Sequence, residues 1–348
     1  MIYQIGATGE GLQKAGIFLI LRPVACGRSV SRGRIRRMKP TFPDFSVFRG
    51  LTVACLVAAA STMSRSEAAA PPAAPPQAKQ PADAPQAGSG IPASDKTVAD
   101  ALKNSPRHGE WVDIALPGSE VKLKTWVVYP ESKAKAPIVL VIHEIFGLTD
   151  WVRGVADQLA ADGFIALAPD LLSGMGPDGG GTESLGDQVG QTIRKIAPDD
   201  VAARLNAVRD YGLKLPAARG DKSACIGFCW GGSASFNYAV RQPKLNAAVV
   251  YYGTAPMTDG KPDTAALGKI ACPVLGCYGG DDARVTATVE PTAAAMGELK
   301  KTFTHREYDA AGHGFLRQSS ADQRNGANLK AAQSAWKETI EFLHANTH

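Results

Sequence analysis

Short, wholly apolar segments alternate with segments of helical periodicity between residues 98 and 348, and few folds accommodate that order. Residues 137–142 and 164–168 are continuous apolar runs, typical of strands covered on both faces. Residues 151–163 lie between them, repeat apolar side chains at the helical period and end at Gly163. This alternation predicts an α/β fold, a mostly parallel central sheet with helices on both faces.

The same patterns continue to the end of the chain. Further strands are predicted at 122–129, 224–228, 247–252, 274–278 and 304–308, and helices at 198–211, 231–241, 288–300 and 326–345. In sheets of this kind, ligands bind beyond the carboxyl ends of the strands. We therefore expect the reactive side chains directly after strands.

The charge of the chain is concentrated before the predicted domain. The net charge is +5, but residues 1–49 hold nine basic and two acidic residues, and the chain from residue 70 onward is slightly acidic. A nucleic-acid-binding surface would place its basic residues on the folded domain. The distribution therefore argues against a nucleic-acid partner.

The N-terminal 70 residues are interpreted as an upstream extension followed by an export signal. The basic stretch from Met38, the apolar run 51–60 and the alanines at 68–70 follow the order of a cleavable signal, with Met38 as the expected start. The apolar run is about half of the roughly 20 residues that a spanning helix needs. We expect a periplasmic or secreted protein that is not inserted in the membrane after cleavage.

Residues 71–97 are rich in Pro, Ala and Gln and nearly free of large apolar side chains. Such a segment cannot bury enough surface to offset the entropy of ordering it, and it is predicted to be a disordered linker. The predicted domain therefore covers residues 98–348, and we expect it to be monomeric.

Cys229 stands in the sequence GFCWGG, between a predicted strand and a predicted helix. This is the nucleophile-elbow pattern, in which two glycines flank a strained residue in a tight turn. The turn places the sulfur at a helix N-terminus, which favours thiolate. Cys229 is therefore the candidate nucleophile.

Two candidate partners for Cys229 follow the last two predicted strands. His313 lies between glycines after the strand 304–308 and is the candidate base. Asp281 and Asp282 follow the strand 274–278, and the spacing after Gly279 favours Asp282 as the acid that orients the histidine. The order nucleophile, acid, histidine is that of α/β-hydrolases.

At these residues the sequence resembles the dienelactone hydrolase family, also called carboxymethylenebutenolidases. The matching motifs are HEIFG at 143–147, GFCWGG at 227–232, YYG at 251–253, GGDD at 279–282 and AGHGF at 311–315. The resemblance implies an α/β-hydrolase fold without a large cap domain and a Cys-His-Asp triad, with no cofactor and no metal.

The resemblance also implies roles for individual side chains. The backbone N–H groups of Ile145 and Trp230 would form the oxyanion hole, and Glu144 would match a mobile glutamate that helps to generate the thiolate. Arg317 would hold a substrate carboxylate, with Phe146 and Tyr251 as further substrate contacts. A second substrate-binding arginine has no motif that fixes its position, and residues 173–190 depart from the family near the predicted mouth of the site.

The expected function is hydrolysis of a small-molecule ester or lactone through Cys229. A broad carboxylesterase or thioesterase, and a non-catalytic exported binding protein of the same fold, remain as alternatives. A redox pair of Cys225 and Cys229 is disfavoured, because four residues along a strand span about 13 Å, too far for a disulfide.

Overall fold

The computed structural model of the protein describes residues 90–320 and 323–348. The predicted upstream extension and export signal, and the predicted linker up to residue 89, lie outside the described residues. No helix in the described part of the chain is both long enough and apolar enough to cross a membrane.

A mixed sheet of eight strands runs through the described residues. The described chain has ten strands, eight in this sheet and two in a hairpin. They are β1 (Gly109–Ala115), β2 (Lys122–Val128), β3 (Ala136–Ile142), β4 (Ile165–Pro169), β5 (Ala218–Phe228), β6 (Ala247–Tyr251), β7 (Met257–Thr258), β8 (Lys261–Pro262), β9 (Val274–Gly279) and β10 (Phe303–Tyr308). The sheet has the order β1-β2-β4-β3-β5-β6-β9-β10, and β7 and β8 form a separate small hairpin. The strands from β4 to β10 in that order pair in parallel, whereas β1 and β2 pair antiparallel at one edge.

Helices fill the connections, as the alternating pattern predicted. They are α1 (Val98–Lys103), α2 (Asp150–Ala161), α3 (Thr182–Leu185), α4 (Val189–Ile193), α5 (Pro198–Gly212), α6 (Trp230–Arg241), α7 (Thr264–Leu267), α8 (Ala283–Thr286), α9 (Val289–Glu298) and α10 (Ala327–Thr347). Short 3-10 turns occupy Pro177–Gly179, Gly186–Gln188 and Gln323–Gly326.

The two faces of the sheet bury separate apolar clusters. Along β3, Ile138 and Leu140 contribute to the cluster packed under α5 and α6, whereas Val139 and Val141 contribute to the cluster under α2 and α10. Successive side chains of a strand point to opposite faces, so a strand covered by helices on both sides must be apolar throughout. The predicted α/β fold, with helices on both faces, is confirmed.

The segment 91–97, assigned to the linker from its composition, packs on the domain. Ile91 contacts the apolar cluster under α2, Pro92 and Ser94 are buried, and the carbonyl of Ser94 accepts hydrogen bonds from the backbone at the start of α1. The ordered domain therefore begins several residues before residue 98. We call residues 91–97 the N-terminal strap.

Residues 173–190, expected to be an altered loop, are largely folded into short helical segments that Asp170 holds in place. The Asp170 carboxylate accepts hydrogen bonds from the backbone and the hydroxyl of Thr182, both at 2.7 Å. The same hydroxyl accepts a hydrogen bond from the backbone N–H of Leu148, 3.0 Å away. The segment is thereby fixed next to the loop that follows β3.

Candidate active site

The turn from β5 into α6 has the strained geometry that the elbow pattern predicts. Cys229 has φ 55°, in the left-handed region, and its N–H donates a hydrogen bond to the carbonyl of Tyr251 at 3.0 Å. A Cβ on Gly227 would lie 1.9 Å from the carbonyl oxygen of Gly231, and a Cβ on Gly231 would lie 2.3 Å from that of His143. Both glycines are therefore required by contacts between backbone segments.

Cys229, His313 and Asp282 lie in one chain of polar contacts. Nε2 of His313 is 3.1 Å from Sγ of Cys229, and Nδ1 of His313 is 2.5 Å from Oδ2 of Asp282. The three side chains come from the ends of different strands: Cys229 follows β5, Asp282 follows β9, and His313 lies in the loop after β10. β3 and β5 are neighbours in the sheet, and the order in which the chain adds strands reverses between them. The carboxyl ends of β3 and β5 are therefore the topological switch point of the sheet.

The surroundings of Cys229 favour the protonated thiol. Burial is the largest cause and raises the pKa of Cys229, and the negative charge of Glu144 raises it further. The N–H of Trp230 and the charge of Arg284 act in the opposite direction. The helix N-terminus thus favours thiolate, as expected, but burial outweighs it. A thiol in this state becomes a nucleophile only when a base accepts its proton, and Nε2 of His313 lies within reach of the sulfur.

Two backbone N–H groups, those of Ile145 and Trp230, were expected to form an oxyanion hole. The N–H of Trp230 is directed at the sulfur. Among the described residues, the N–H of Ile145 has no hydrogen-bond acceptor, so it is available to an incoming group.

His143 holds the loop that contains Ile145 and was not assigned a role from the sequence. It is fully buried, its Nδ1 lies 2.9 Å from the carbonyl of Glu144, and its Nε2 accepts a hydrogen bond from the N–H of Leu171 at 3.1 Å. These partners require the neutral tautomer with the proton on Nδ1. Burial lowers the pKa of His143, although the charge of Asp170 acts in the opposite direction. The lowered pKa keeps His143 in the neutral form.

Glu144 is buried beside the thiol and pairs with Arg317. Nε of Arg317 lies 2.8 Å from Oε2 of Glu144. Burial raises the pKa of Glu144 to about 7, although the guanidinium of Arg317 lowers it. Glu144 therefore changes its charge near neutrality, where a carboxylate in water would stay ionised.

The guanidinium of Arg317 has two further neighbours. Its Nη1 donates a hydrogen bond of 2.7 Å to Oδ2 of Asp95 in the N-terminal strap. The guanidinium also lies over the ring of Phe146, 5.3 Å from the ring centroid. Phe146 is half exposed, and it lines the cavity beside the loop after β3.

Tyr251 does not reach the site with its side chain, contrary to the expectation. It is fully buried, and its hydroxyl makes a hydrogen bond of 2.7 Å with Oγ1 of Thr339 on α10. The next residue, Tyr252, has φ 41° and turns its ring to His313, with ring centroids 5.1 Å apart. The expected tyrosine contact is therefore displaced by one residue.

Tyr252, Arg284 and Asp95 are the neighbours of the site that the sequence did not identify. The hydroxyl of Tyr252 is buried near the backbone of Arg317, and it makes no well-formed hydrogen bond among the described residues. Arg284 is exposed, and the ion pairs found in the described ranges do not include it. Its place two residues after Asp282 is a usable signal, whereas Asp95 lies 222 residues from Arg317 and gives none.

A cavity of about 520 Å³ opens beside the loop after β3. It is lined by Ile145, Phe146, Thr182 and Arg194. Arg194 lies in the region from which a second substrate-binding arginine was expected, and its Nη1 donates to the carbonyl of Gly190 at 2.7 Å. The described residues contain no cluster of three or more His, Cys, Asp or Glu side chains able to hold a metal ion.

Known proteins resemble this chain in sequence and in fold. A "Putative carboxymethylenebutenolidase" of Methylorubrum extorquens is 30% identical over 238 residues, which cover 66% of this chain and 79% of that protein. A crystal structure of a "Putative Dienelactone Hydrolase" from Klebsiella pneumoniae has a TM-score of 0.59 at 25% identity, covering 68% of this chain and 98% of that one.

A more distant likeness concerns the fold alone. The acylaminoacyl peptidase of Pyrococcus horikoshii has a TM-score of 0.54 at 13% identity, over 73% of this chain and 44% of that one. It places the sheet and helices among the α/β-hydrolases. The sequence profile of the dienelactone hydrolase family matches residues 123–347, from β2 to the end of α10. The chain belongs to the dienelactone hydrolase family, and it is an ester or lactone hydrolase at the level at which that family is defined.

Proposed function

We propose that the protein hydrolyses an ester or lactone through Cys229 as a covalent nucleophile, with His313 as base and Asp282 as its orienting acid. The observation that carries the proposal is the continuous contact from thiol to imidazole to carboxylate, with distances of 3.1 and 2.5 Å. This is the arrangement that nucleophilic catalysis requires, in which a base lies within hydrogen-bond reach of the nucleophile and a third group orients the base.

In the first half of the reaction, Nε2 of His313 takes the thiol proton as Sγ of Cys229 attacks the carbonyl carbon. The carbonyl oxygen becomes an oxyanion and accepts hydrogen bonds from the N–H groups of Ile145 and Trp230. The C–O bond to the leaving group then breaks, and the alkoxide takes the proton from His313. The products are an alcohol and a thioester on Cys229.

In the second half, His313 removes a proton from water, and the resulting hydroxide attacks the thioester carbonyl. Collapse of this intermediate breaks the C–S bond, releases the carboxylic acid and returns the proton to the sulfur. A thiolate is a better leaving group than an amine. The tetrahedral intermediate from an amide would therefore tend to lose the Cys229 thiolate and return to the starting amide. Esters, lactones and thioesters are therefore the supported substrates.

The test is turnover of a panel of p-nitrophenyl esters and lactones by the wild type and by Cys229→Ala. We expect hydrolysis of at least one compound by the wild type and none by the variant. Cys272→Ala is the matched control, because it removes a buried thiol remote from His313 and should leave the rate unchanged. Equal rates for wild type and Cys229→Ala would refute the covalent mechanism.

The same experiment separates the two alternative functions. Turnover of many neutral esters and thioesters at similar rates would favour a broad esterase, and the two carboxylates already beside Arg317 support that alternative. A non-catalytic binding protein would turn over none of them, and iodoacetamide would not label Cys229 in preference to the other thiols.

We also propose that the protein is exported and acts as a monomer. The support for export is the order of basic, apolar and small residues between Met38 and residue 70. Cell fractionation with N-terminal sequencing of the mature protein tests the first proposal, and size-exclusion chromatography with light scattering tests the second.

A further inference from the structure

The N-terminal strap is attached to the loop that carries His313 and Arg317. The backbone N–H of Asp95 donates a hydrogen bond to the carbonyl of Arg317 at 2.9 Å. One residue earlier, Oγ of Ser94 accepts a hydrogen bond from the hydroxyl of Ser320 at 3.0 Å. Strap and loop are therefore joined at Ser94 and at the backbone of Asp95, which restricts where the Asp95 carboxylate can lie.

That carboxylate binds one side of the Arg317 guanidinium, whose other side faces Glu144. Arg317 presents Nε to Glu144 at 2.8 Å and Nη1 to Asp95 at 2.7 Å. Its side chain is about one fifth exposed, and that of Asp95 about one third. The Glu144 carboxylate is buried, whereas the Asp95 carboxylate is partly exposed, so Asp95 lies on the solvent-facing side of the guanidinium.

The charges show what this second carboxylate does. A guanidinium pairs well with carboxylates, because its N–H groups match their oxygens in a fixed geometry. An Arg317 paired with Glu144 alone would keep its outer arm open to the carboxylate of a substrate. Asp95 fills that arm and adds a negative charge, so an anionic substrate must displace Asp95 or approach against its charge.

We propose that Asp95 is a specificity-determining residue: its carboxylate occupies the outer arm of Arg317 and disfavours substrates that carry a carboxylate there. The proposal rests on the ester hydrolysis proposed above, which supplies the substrates that Asp95 selects among. It concerns the choice between charged and neutral substrates and leaves the chemistry at Cys229 unchanged.

The binding test uses the full-length protein with Cys229→Ala, so that no turnover interferes. Titration calorimetry compares monomethyl glutarate, which carries one carboxylate, with its neutral analogue dimethyl glutarate. Adding Asp95→Asn should tighten binding of the anion by about tenfold, as expected for one charge-assisted hydrogen bond, and leave that of the neutral diester unchanged.

Two control variants separate the position of the charge from its amount. Asp100→Asn removes a negative charge on α1, in a residue that is exposed and remote from Arg317, and should change neither affinity. Asp95→Glu restores the carboxylate and should stay close to the starting protein. Thermal unfolding of each variant verifies that the domain is intact.

The kinetic test uses the active protein and two p-nitrophenyl esters, the hemisuccinate and its neutral methyl ester. We divide kcat/KM for the charged hemisuccinate by kcat/KM for its neutral methyl ester. We expect Asp95→Asn to raise this ratio by about tenfold. An unchanged ratio, absent binding of monomethyl glutarate to the Asp95→Asn protein, or an equal effect of Asp100→Asn would each overturn the proposal. Failure of the wild type to hydrolyse either ester would instead contradict the proposed function, and the calorimetric result would still decide the role of Asp95.

Discussion

Asp281 and Asp282 are adjacent in the chain, yet their carboxylates bind different partners. Asp282 approaches Nδ1 of His313 at 2.5 Å, and its side chain is about nine-tenths buried. Asp281 turns outward to the guanidinium of Arg324, and both partners of that pair are nearly half exposed. The sequence favoured Asp282 from its spacing alone, and the contacts provide the physical basis of that choice.

Replacing each aspartate by asparagine should therefore give very different enzymes. Asp282→Asn keeps the shape but can hold the wrong imidazole tautomer, and we expect kcat for an ester to fall by about 10³–10⁴-fold. Asp281→Asn should remain within about twofold of wild type, because an exposed pair contributes little. Steady-state kinetics on one p-nitrophenyl ester measures both, and similar losses would contradict the assignment.

The ionisation of Glu144 should make stability depend on pH. Its pKa is about 7 in the folded protein, whereas that of a solvated glutamate side chain is 4.5, so the folded state keeps a proton that the unfolded state loses. Stability linked to Glu144 is complete below pH 4.5, falls as pH rises and is lost above about pH 7. Glu144→Gln lacks this dependence, so relative to wild type it should gain roughly 3 kcal/mol between pH 4.5 and pH 8. Urea unfolding at both pH values measures it, and a constant difference would contradict it.

The charges around Cys229 should move its titration in opposite directions. Burial raises the pKa of Cys229 most, Glu144 adds to the increase, and Arg284 opposes it. We expect the midpoint of iodoacetamide alkylation against pH to shift down in Glu144→Gln and up in Arg284→Ala. Mass spectrometry of the peptide that contains Cys229 gives the rates. Arg306→Ala, which removes an arginine paired with Glu338, should not shift the midpoint.

Removing the hydroxyl of Tyr251 should affect stability, whereas removing that of Tyr252 should affect activity. The buried hydroxyl of Tyr252 makes no well-formed hydrogen bond among the described residues, so Tyr252→Phe should keep or raise the melting temperature. If that hydroxyl bonds the substrate, kcat/KM should fall by about tenfold. Tyr251→Phe breaks the bond to Thr339 and should lower the melting temperature while leaving kcat unchanged. The reverse pattern would show that the tyrosine roles are exchanged.

The glycines of the elbow should tolerate no side chain. Gly227→Ala would place a methyl carbon 1.9 Å from a carbonyl oxygen, and we expect a loss of at least about 3 kcal/mol in stability or no folded protein. Gly297 in α9 has open space at the same position, and Gly297→Ala should stabilise the helix by about 0.5–1 kcal/mol. Denaturant unfolding compares the two variants.

The sequence was sufficient for the elements whose patterns are local. The strands buried on both faces are uniformly apolar, and each motif after a strand end follows from chain order. β1 was not identified, because this edge strand has only one buried residue and mixes charged with apolar residues. The long strand β5 also begins earlier than its apolar part, which starts near residue 224.

The site was predictable where local geometry fixes the residue type, and less so elsewhere. A cysteine between glycines at the end of a buried strand is compatible with few backbone turns besides the elbow. By contrast, β6 is buried on both faces, and its pattern cannot show which tyrosine faces the site. The ion pair between Asp95 and Arg317 joins distant parts of the chain, and the composition around Asp95 pointed to a linker.

The N-terminal strap bears on how a protein of this kind is trimmed for study. The family match begins at residue 123, and even a generous boundary at residue 98 keeps every helix and strand of the described chain while discarding Asp95. Such a shortened enzyme would retain the whole catalytic machinery with an open guanidinium at its entrance. On the role proposed for Asp95, its measured preference for substrates that carry a carboxylate would exceed that of the intact enzyme. The difference would originate in a truncation far from the catalytic residues in sequence.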